Sequence, residues 1–177
     1  MGGLNKGLQK LHGKGLAEHV HQTLSAQVTQ VKINANQDLE SYAKLGCIVI
    51  ADSVTSYAGP LAGIHAGLMQ CETDFMLTAP CDSPFLPHNL FQTLATALNQ
   101  TQADIAVALT IEDGERQIHP VFSLLSRSLE KSLFEFLNQG GRKPRLWYQA
   151  HHVVEVLFED NAAFRNINTL AELERCE

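Results

Sequence analysis

The chain has 177 residues, 45% hydrophobic and 18% charged, which suits one domain with a full core and excludes a disordered chain. Its formal net charge is −6, and apart from Arg142, Lys143 and Arg145 the basic residues are scattered, so the basic face that a nucleic-acid binder needs is missing. An acidic chain can still bind a phosphorylated small molecule if a metal and a few cations are placed locally. The four cysteines form no C-x-x-C pair, no apolar run approaches the length of a membrane span, and the N-terminus lacks a signal-peptide pattern. The expectation is a reduced cytoplasmic protein without a membrane or a disulfide framework.

In chain order, Leu16, Val20 and Leu24 recur at helical spacing, and residues 28–35 (VTQVKINA) alternate as a half-buried strand would. Residues 45–51 (LGCIVIA), 75–79 (FMLTA) and 105–109 (IAVAL) are nearly continuous apolar runs, the pattern of strands covered on both faces in a parallel sheet. Between the first two, residues 59–70 begin Gly-Pro and are rich in small side chains, which predicts a helix able to pack close to a sheet. Leu90, Phe91, Leu94 and Leu98 make a further helical stripe, as do Leu129, Leu133, Phe136 and Leu137. Residues 119–125 and 153–158 read as strands, residues 138–141 (NQGG) as a helix stop, and residues 169–174 as a short helix with Thr169 at the N-cap and Glu172 at the capping-box position. Strand alternating with helix predicts a single three-layer α/β/α sandwich over residues 1–177, with a mostly parallel sheet.

Two strand ends carry carboxylates. Asp82 follows the run 75–79 in the loop Thr78-Ala79-Pro80-Cys81-Asp82-Ser83-Pro84. Ligands of open α/β sheets bind outside the carboxyl ends of strands, and there an aspartate can give Mg²⁺ a hard oxygen ligand while substrate phosphates fill other positions. The alternative is that Asp82 only shapes a turn. Asp52 follows the run 45–51 and precedes Gly59-Pro60-Leu61-Ala62-Gly63; its carboxylate can accept from a ribose or from the N1–H and N2–H₂ edge of guanine. Lys6 lies in Met1-Gly2-Gly3-Leu4-Asn5-Lys6-Gly7-Leu8, where glycines and a cation suit a phosphate loop, although the Walker pattern is absent. No motif supplies a Ser or Cys nucleophile, and the His pairs lack partners for a metal site.

Taken in order, Met1 to Leu8, Asn34-Ala35-Asn36, Asp52-Ser53 with Gly59 to Gly63, Pro80-Cys81-Asp82-Ser83-Pro84 and Asn166-Ile167-Asn168-Thr169 resemble the molybdenum cofactor guanylyltransferases, from Met1 to the end of the chain. That resemblance implies a Rossmann-like nucleotidyltransferase that moves GMP from GTP to the terminal phosphate of molybdopterin and releases pyrophosphate. It implies that Lys6 meets the GTP phosphates, that Asn34 and Asp52 line the nucleoside pocket, and that Asp82 binds Mg²⁺. It also sets Arg142, Lys143, Asn166 and Asn168 toward the pterin phosphate. Other proteins of cofactor biosynthesis and acceptor molybdoenzymes are the implied partners. The acceptor phosphate, with a second pKa of about 6, is already largely dianionic near neutrality and needs no strong base; positioning and neutralisation of clustered anions are what the protein must supply.

Two departures from the family pattern stand out. The family begins with an apolar strand and a glycine-rich loop, whereas this chain starts at the Met inside that motif, so an N-terminally truncated form is expected. The family's proline is replaced in Gly13-Lys14-Gly15-Leu16. A molybdopterin cytidylyltransferase, a sugar-phosphate nucleotidyltransferase and a non-catalytic cofactor-binding relative are the alternatives.

Overall fold

The computed structural model describes residues 5–52 and 59–176. A 3₁₀ turn at Lys6–Leu8 leads into a hairpin of β1 (Lys10–Leu11) and β2 (Lys14–Gly15), then α1 (Leu16–Ser25), β3 (Lys32–Asn34), α2 (Leu39–Ala43) and β4 (Ile48–Ile50). Next come α3 (Pro60–Met69), β5 (Phe75–Thr78), α4 (Leu90–Thr101), β6 (Ile105–Glu112) and β7 (Glu115–Ser126). The chain closes with α5 (Glu130–Asn138), α6 (Pro144–Tyr148), β8 (Val153–Leu157) and α7 (Leu170–Glu174).

Every segment read as a strand or helix forms one, and the helices α2 and α6 and the β1–β2 hairpin come in addition. The helices α2 and α6 span five residues each, too few to display a helical period. The β1–β2 hairpin turns through His12 and Gly13, both with positive φ, as a two-residue hairpin turn requires.

The α/β class and the helices on both faces agree with the sequence, but the strand directions are mixed. One sheet has the order β5-β7-β6-β8, with β7 antiparallel to both neighbours and β8 parallel to β6. The run beginning at Ile105 is buried through Thr110 because it is covered on both sides, not because its neighbours are parallel. Leu90, Leu94 and Leu98 of α4, with Val20 and Leu24 of α1, cover one face. Leu61, Ile64 and Leu68 of α3, with Leu133 and Leu137 of α5 and Trp147 of α6, cover the other.

β3 and β4 form a separate two-stranded parallel sheet. Lys32 donates to the Gln70 carbonyl at the end of α3 at 2.7 Å, while Asn34 lies against Gly63 and Met76 of β5 against Gly67. Both β3 and β5 therefore climb α3 from its C-terminal end, and they run the same way. Between them is a cavity of about 1240 Å³, lined by the whole of both strands, by Val20 and Leu24 from α1 and by Ile64 and Gly67 from α3.

The carboxyl end of β5 is held firmly. Thr78 donates to the Val121 carbonyl at 2.7 Å and meets the Ser123 hydroxyl at 3.0 Å. Tyr148 donates to the Pro120 carbonyl at 2.6 Å, where β7 carries an irregularity opposite Val107 and Ala108. At the chain's end the expected capping box is present: Glu172 N–H donates to Thr169 Oγ1 at 3.1 Å, and Thr169 N–H donates to the Glu172 carboxylate at 3.2 Å. Thr169→Ala is therefore expected to cost about 1 kcal/mol, as loss of an N-cap oxygen does, read as a shift of the urea unfolding midpoint at constant slope.

Candidate active site

Asp82 stands in the turn after β5, with its side chain 13% exposed. Its Oδ2 lies 3.7 Å from Lys6 Nζ. Burial holds the Asp82 carboxyl above its ordinary range, against the opposing pull of Lys6. A carboxylate whose ionised form is penalised by burial gains more from a further cation than one in water does. Lys6 Nζ also donates to Asn168 Oδ1 at 2.7 Å, and its side chain keeps 41% exposure. A phosphate can therefore still reach the ammonium.

The Lys6 turn is clasped from below. The buried Tyr42 donates to Asn5 Oδ1 at 2.6 Å, and Asn5 Nδ2 donates to Asp38 Oδ2 at 3.0 Å. A Cβ on Gly7 would lie 2.5 Å from the Tyr42 hydroxyl, so only glycine fits beneath the turn. On the other side, the fully buried Ser83 donates to Asn166 Oδ1 at 2.6 Å, and Ile167 N–H donates to the Asp82 carbonyl at 2.8 Å.

A second group forms at the carboxyl ends of β3 and β4. Asp52 accepts from Asn34 Nδ2 at 3.0 Å and from Asn36 Nδ2 at 2.8 Å, and its own N–H donates to Asn36 Oδ1 at 2.9 Å. The carboxylate is thus pinned by two amides yet keeps spare lone pairs, since each oxygen can accept more than once. Gly63 makes this possible, because a Cβ there would lie 2.5 Å from Asn34 Oδ1. Asn34 and Asp82 line the same cavity.

The resemblance set Lys6 and Asp82 toward the triphosphate and its metal, and Asn166 and Asn168 toward the pterin phosphate; the structure brings Lys6, Asp82 and Asn168 together, with Asn166 bonded to Ser83 beside Asp82. Asn34 and Asp52 also meet. Arg142 and Lys143 stand elsewhere, at the α5–α6 junction, where Arg142 donates to the Leu137 and Gly141 carbonyls at 3.2 and 2.7 Å and so closes the end of α5. Met1 to Leu4 and Ser53 lie outside the described residues. Asn5, Asn36, Tyr42 and Ser83 were not singled out as site residues; Asn5, Asn36 and Ser83 stand inside the quoted motifs, whereas Tyr42 had no signal.

Among the described residues no group of three or more His, Cys, Asp or Glu side chains could hold a metal by itself. A single half-buried carboxylate beside the Lys6 ammonium is nevertheless compatible with Mg²⁺, which keeps several waters and takes its remaining ligands from substrate phosphates. Residues 1–155 match the MobA-like NTP transferase domain. The chain belongs to this family. The molybdenum cofactor guanylyltransferase of Cupriavidus metallidurans is 53% identical over 178 residues, covering 100% of this chain and 88% of its own length. That of Bordetella pertussis is 45% identical over 177 residues, covering 100% of this chain and 90% of its own length. Among solved structures, the molybdopterin-guanine dinucleotide biosynthesis protein A of Archaeoglobus fulgidus superposes with a TM-score of 0.77 at 25% identity, covering 99% of this chain and 90% of that one. The 2-C-methyl-D-erythritol 4-phosphate cytidylyltransferase of Thermus thermophilus reaches a TM-score of 0.76 at 15% identity, covering 97% of this chain and 91% of that one, a likeness of fold alone. The carboxylate of Asp82 and the ammonium of Lys6 stand together beyond the carboxyl end of β5. Among the described residues no helix is long and apolar enough to cross a membrane.

Proposed function

We propose that the chain transfers GMP from GTP to the terminal phosphate of molybdopterin, releasing pyrophosphate. The observation that carries this reading is the pairing of Lys6 with the half-buried Asp82 at the carboxyl end of β5, in a chain whose relatives bear that name. An oxygen of the acceptor phosphate forms a bond to the α-phosphorus of GTP as the bond to the pyrophosphate leaving group breaks. Lys6 neutralises the triphosphate, and Asp82 is the residue that would hold Mg²⁺. Bound there, the metal would supply charge neutralisation to the triphosphate. No side chain needs to remove a proton, because the acceptor is already a dianion.

Asn34 and Asp52 line the nucleoside pocket in this reading, with the fixed Asp52 carboxylate facing the guanine donors. The acceptor enters on the Asn168 side of Lys6, with Arg142 and Lys143 as outlying cations for the pterin phosphate. The product then passes to acceptor molybdoenzymes. Adenine presents an acceptor at N1 where guanine presents a donor, so ATP would set lone pair against lone pair. A site built to hydrogen-bond a donor discriminates strongly against a ligand that lacks it. The expected result is binding of Mg·GTP on the order of 100-fold tighter than Mg·ATP, measured by calorimetry. Equal affinities would refute the assignment of the base pocket.

A further inference from the structure

The segment Asn166–Thr169 touches the site through contacts that belong to the protein's own residues. Asn166 Oδ1 receives the hydroxyl of Ser83, which is fully buried, and Ile167 N–H reaches the Asp82 carbonyl. Both bonds seize the loop that carries Asp82, one on the residue itself and one on its neighbour. Two residues on, Asn168 Oδ1 takes a proton of the Lys6 ammonium at 2.7 Å, shorter than the 3.7 Å from that ammonium to Asp82. The segment is itself fixed at both ends. The Ile167 side chain is buried with Leu11, Leu16 and Leu173, and the Asn168 and Thr169 N–H groups both donate to the Glu172 carboxylate at the start of α7. A chain end more than 80 residues beyond Asp82 and 160 beyond Lys6 thereby joins two loops that sequence separates.

We propose that Asn166–Thr169 is a positioning strap, in which Asn168 holds the Lys6 ammonium toward Asp82 and Asn166 locks the Asp82 loop through Ser83. Asn168 acts through Lys6, and Asn166 acts through Ser83; each is a positioning residue. Its consequence for nucleotide binding rests on the function proposed above, whereas the strap as a structural device does not. A lysine stem loses substantial rotamer freedom when it is ordered, and a fixed amide acceptor meets that cost before the nucleotide arrives. The segment therefore sets how well the site is organised for the triphosphate.

Two measurements on the chain decide the matter. The first needs no ligand: amide hydrogen exchange at Ile167 is expected to quicken about tenfold or more in Ser83→Ala and in Asn166→Ala, with β6 amides unchanged, as local opening of one unit would produce. Unchanged Ile167 protection in both variants overturns the strap. The second is a double-mutant cycle on Mg·GTP affinity. Asn168→Ala is expected to weaken binding about fivefold in the parent and less than twofold in a Lys6→Ala background, because coupled residues are non-additive. Equal losses in both backgrounds overturn the route through Lys6, as does a raised KM for molybdopterin with GTP affinity unchanged. If the chain binds no nucleoside triphosphate at all, the proposed function fails, while the exchange result still decides the strap.

Discussion

On the proposed function, Asp82→Ala is expected to lower kcat/KM for GMP transfer by about a thousandfold or more, because loss of a hard ligand to Mg²⁺ would remove several kcal/mol of charge stabilisation in the transition state. The same substitution leaves the fold intact. Burial raises the Asp82 carboxyl above its ordinary range, so its ionised form is disfavoured in the folded state. The sign follows by linkage: a carboxyl with a raised folded pKa binds protons more tightly when folded, so its ionisation subtracts stability as pH rises from the unfolded value through the folded one. Removing the side chain removes the penalty. Urea unfolding at pH 7 should therefore show an unchanged or slightly higher midpoint alongside the lost activity. Activity within about threefold of the parent at saturating Mg²⁺ would sink the metal role, since no first-sphere ligand is that dispensable.

The second large effect concerns the gap between β3 and β5. Both strands present an edge to a cavity of about 1240 Å³, and among the described residues neither pairs across it. Unpaired parallel edges covered above and below by helices can template association between chains. The chain by itself is expected to aggregate and to bind Mg·GTP weakly, with Lys6 as its main counter-charge. An added N-terminal segment of roughly 20 residues, an apolar strand followed by a glycine loop, is about what one strand and its phosphate-binding turn require. Such a segment should fill the gap and bring backbone N–H donors to the phosphates. The extended form is expected to be monodisperse in gel filtration and to bind Mg·GTP at least about tenfold more tightly, in keeping with several added charge-assisted hydrogen bonds. If the short form is already monodisperse and binds equally well, the phosphate site has been placed wrongly.

Much of this was legible in the sequence for identifiable reasons. The run starting at Ile105 is apolar because helices cover both faces of its sheet, and that pattern survives whatever the strand directions are; in the runs starting at Leu45 and Phe75, Ile48 and Phe75 stay exposed. Direction itself is not encoded in such a run, and so β7, antiparallel to both of its neighbours, was not foreseen. The Thr169–Glu172 capping box is a local signal and appeared as expected. Asp82 and Lys6 were legible as separate candidates, one from its strand end and one from its glycines. Their proximity depends on long-range packing, as do the Ser83–Asn166 and Lys6–Asn168 bonds, and no spacing rule reports it. Arg142 was set toward the pterin phosphate only by the family resemblance; the structure shows its guanidinium donating to the Leu137 and Gly141 carbonyls at the end of α5.

The most direct test of the proposed reaction is to supply molybdopterin, Mg²⁺ and a nucleoside triphosphate to the chain and to its strand-extended form, and to follow the nucleotide-bearing pterin by mass together with pyrophosphate release. The account predicts a guanine dinucleotide and one pyrophosphate per transfer with GTP, faster in the extended form, and little product with ATP or CTP. Equal or greater product from CTP, or none from GTP in either form, would contradict it.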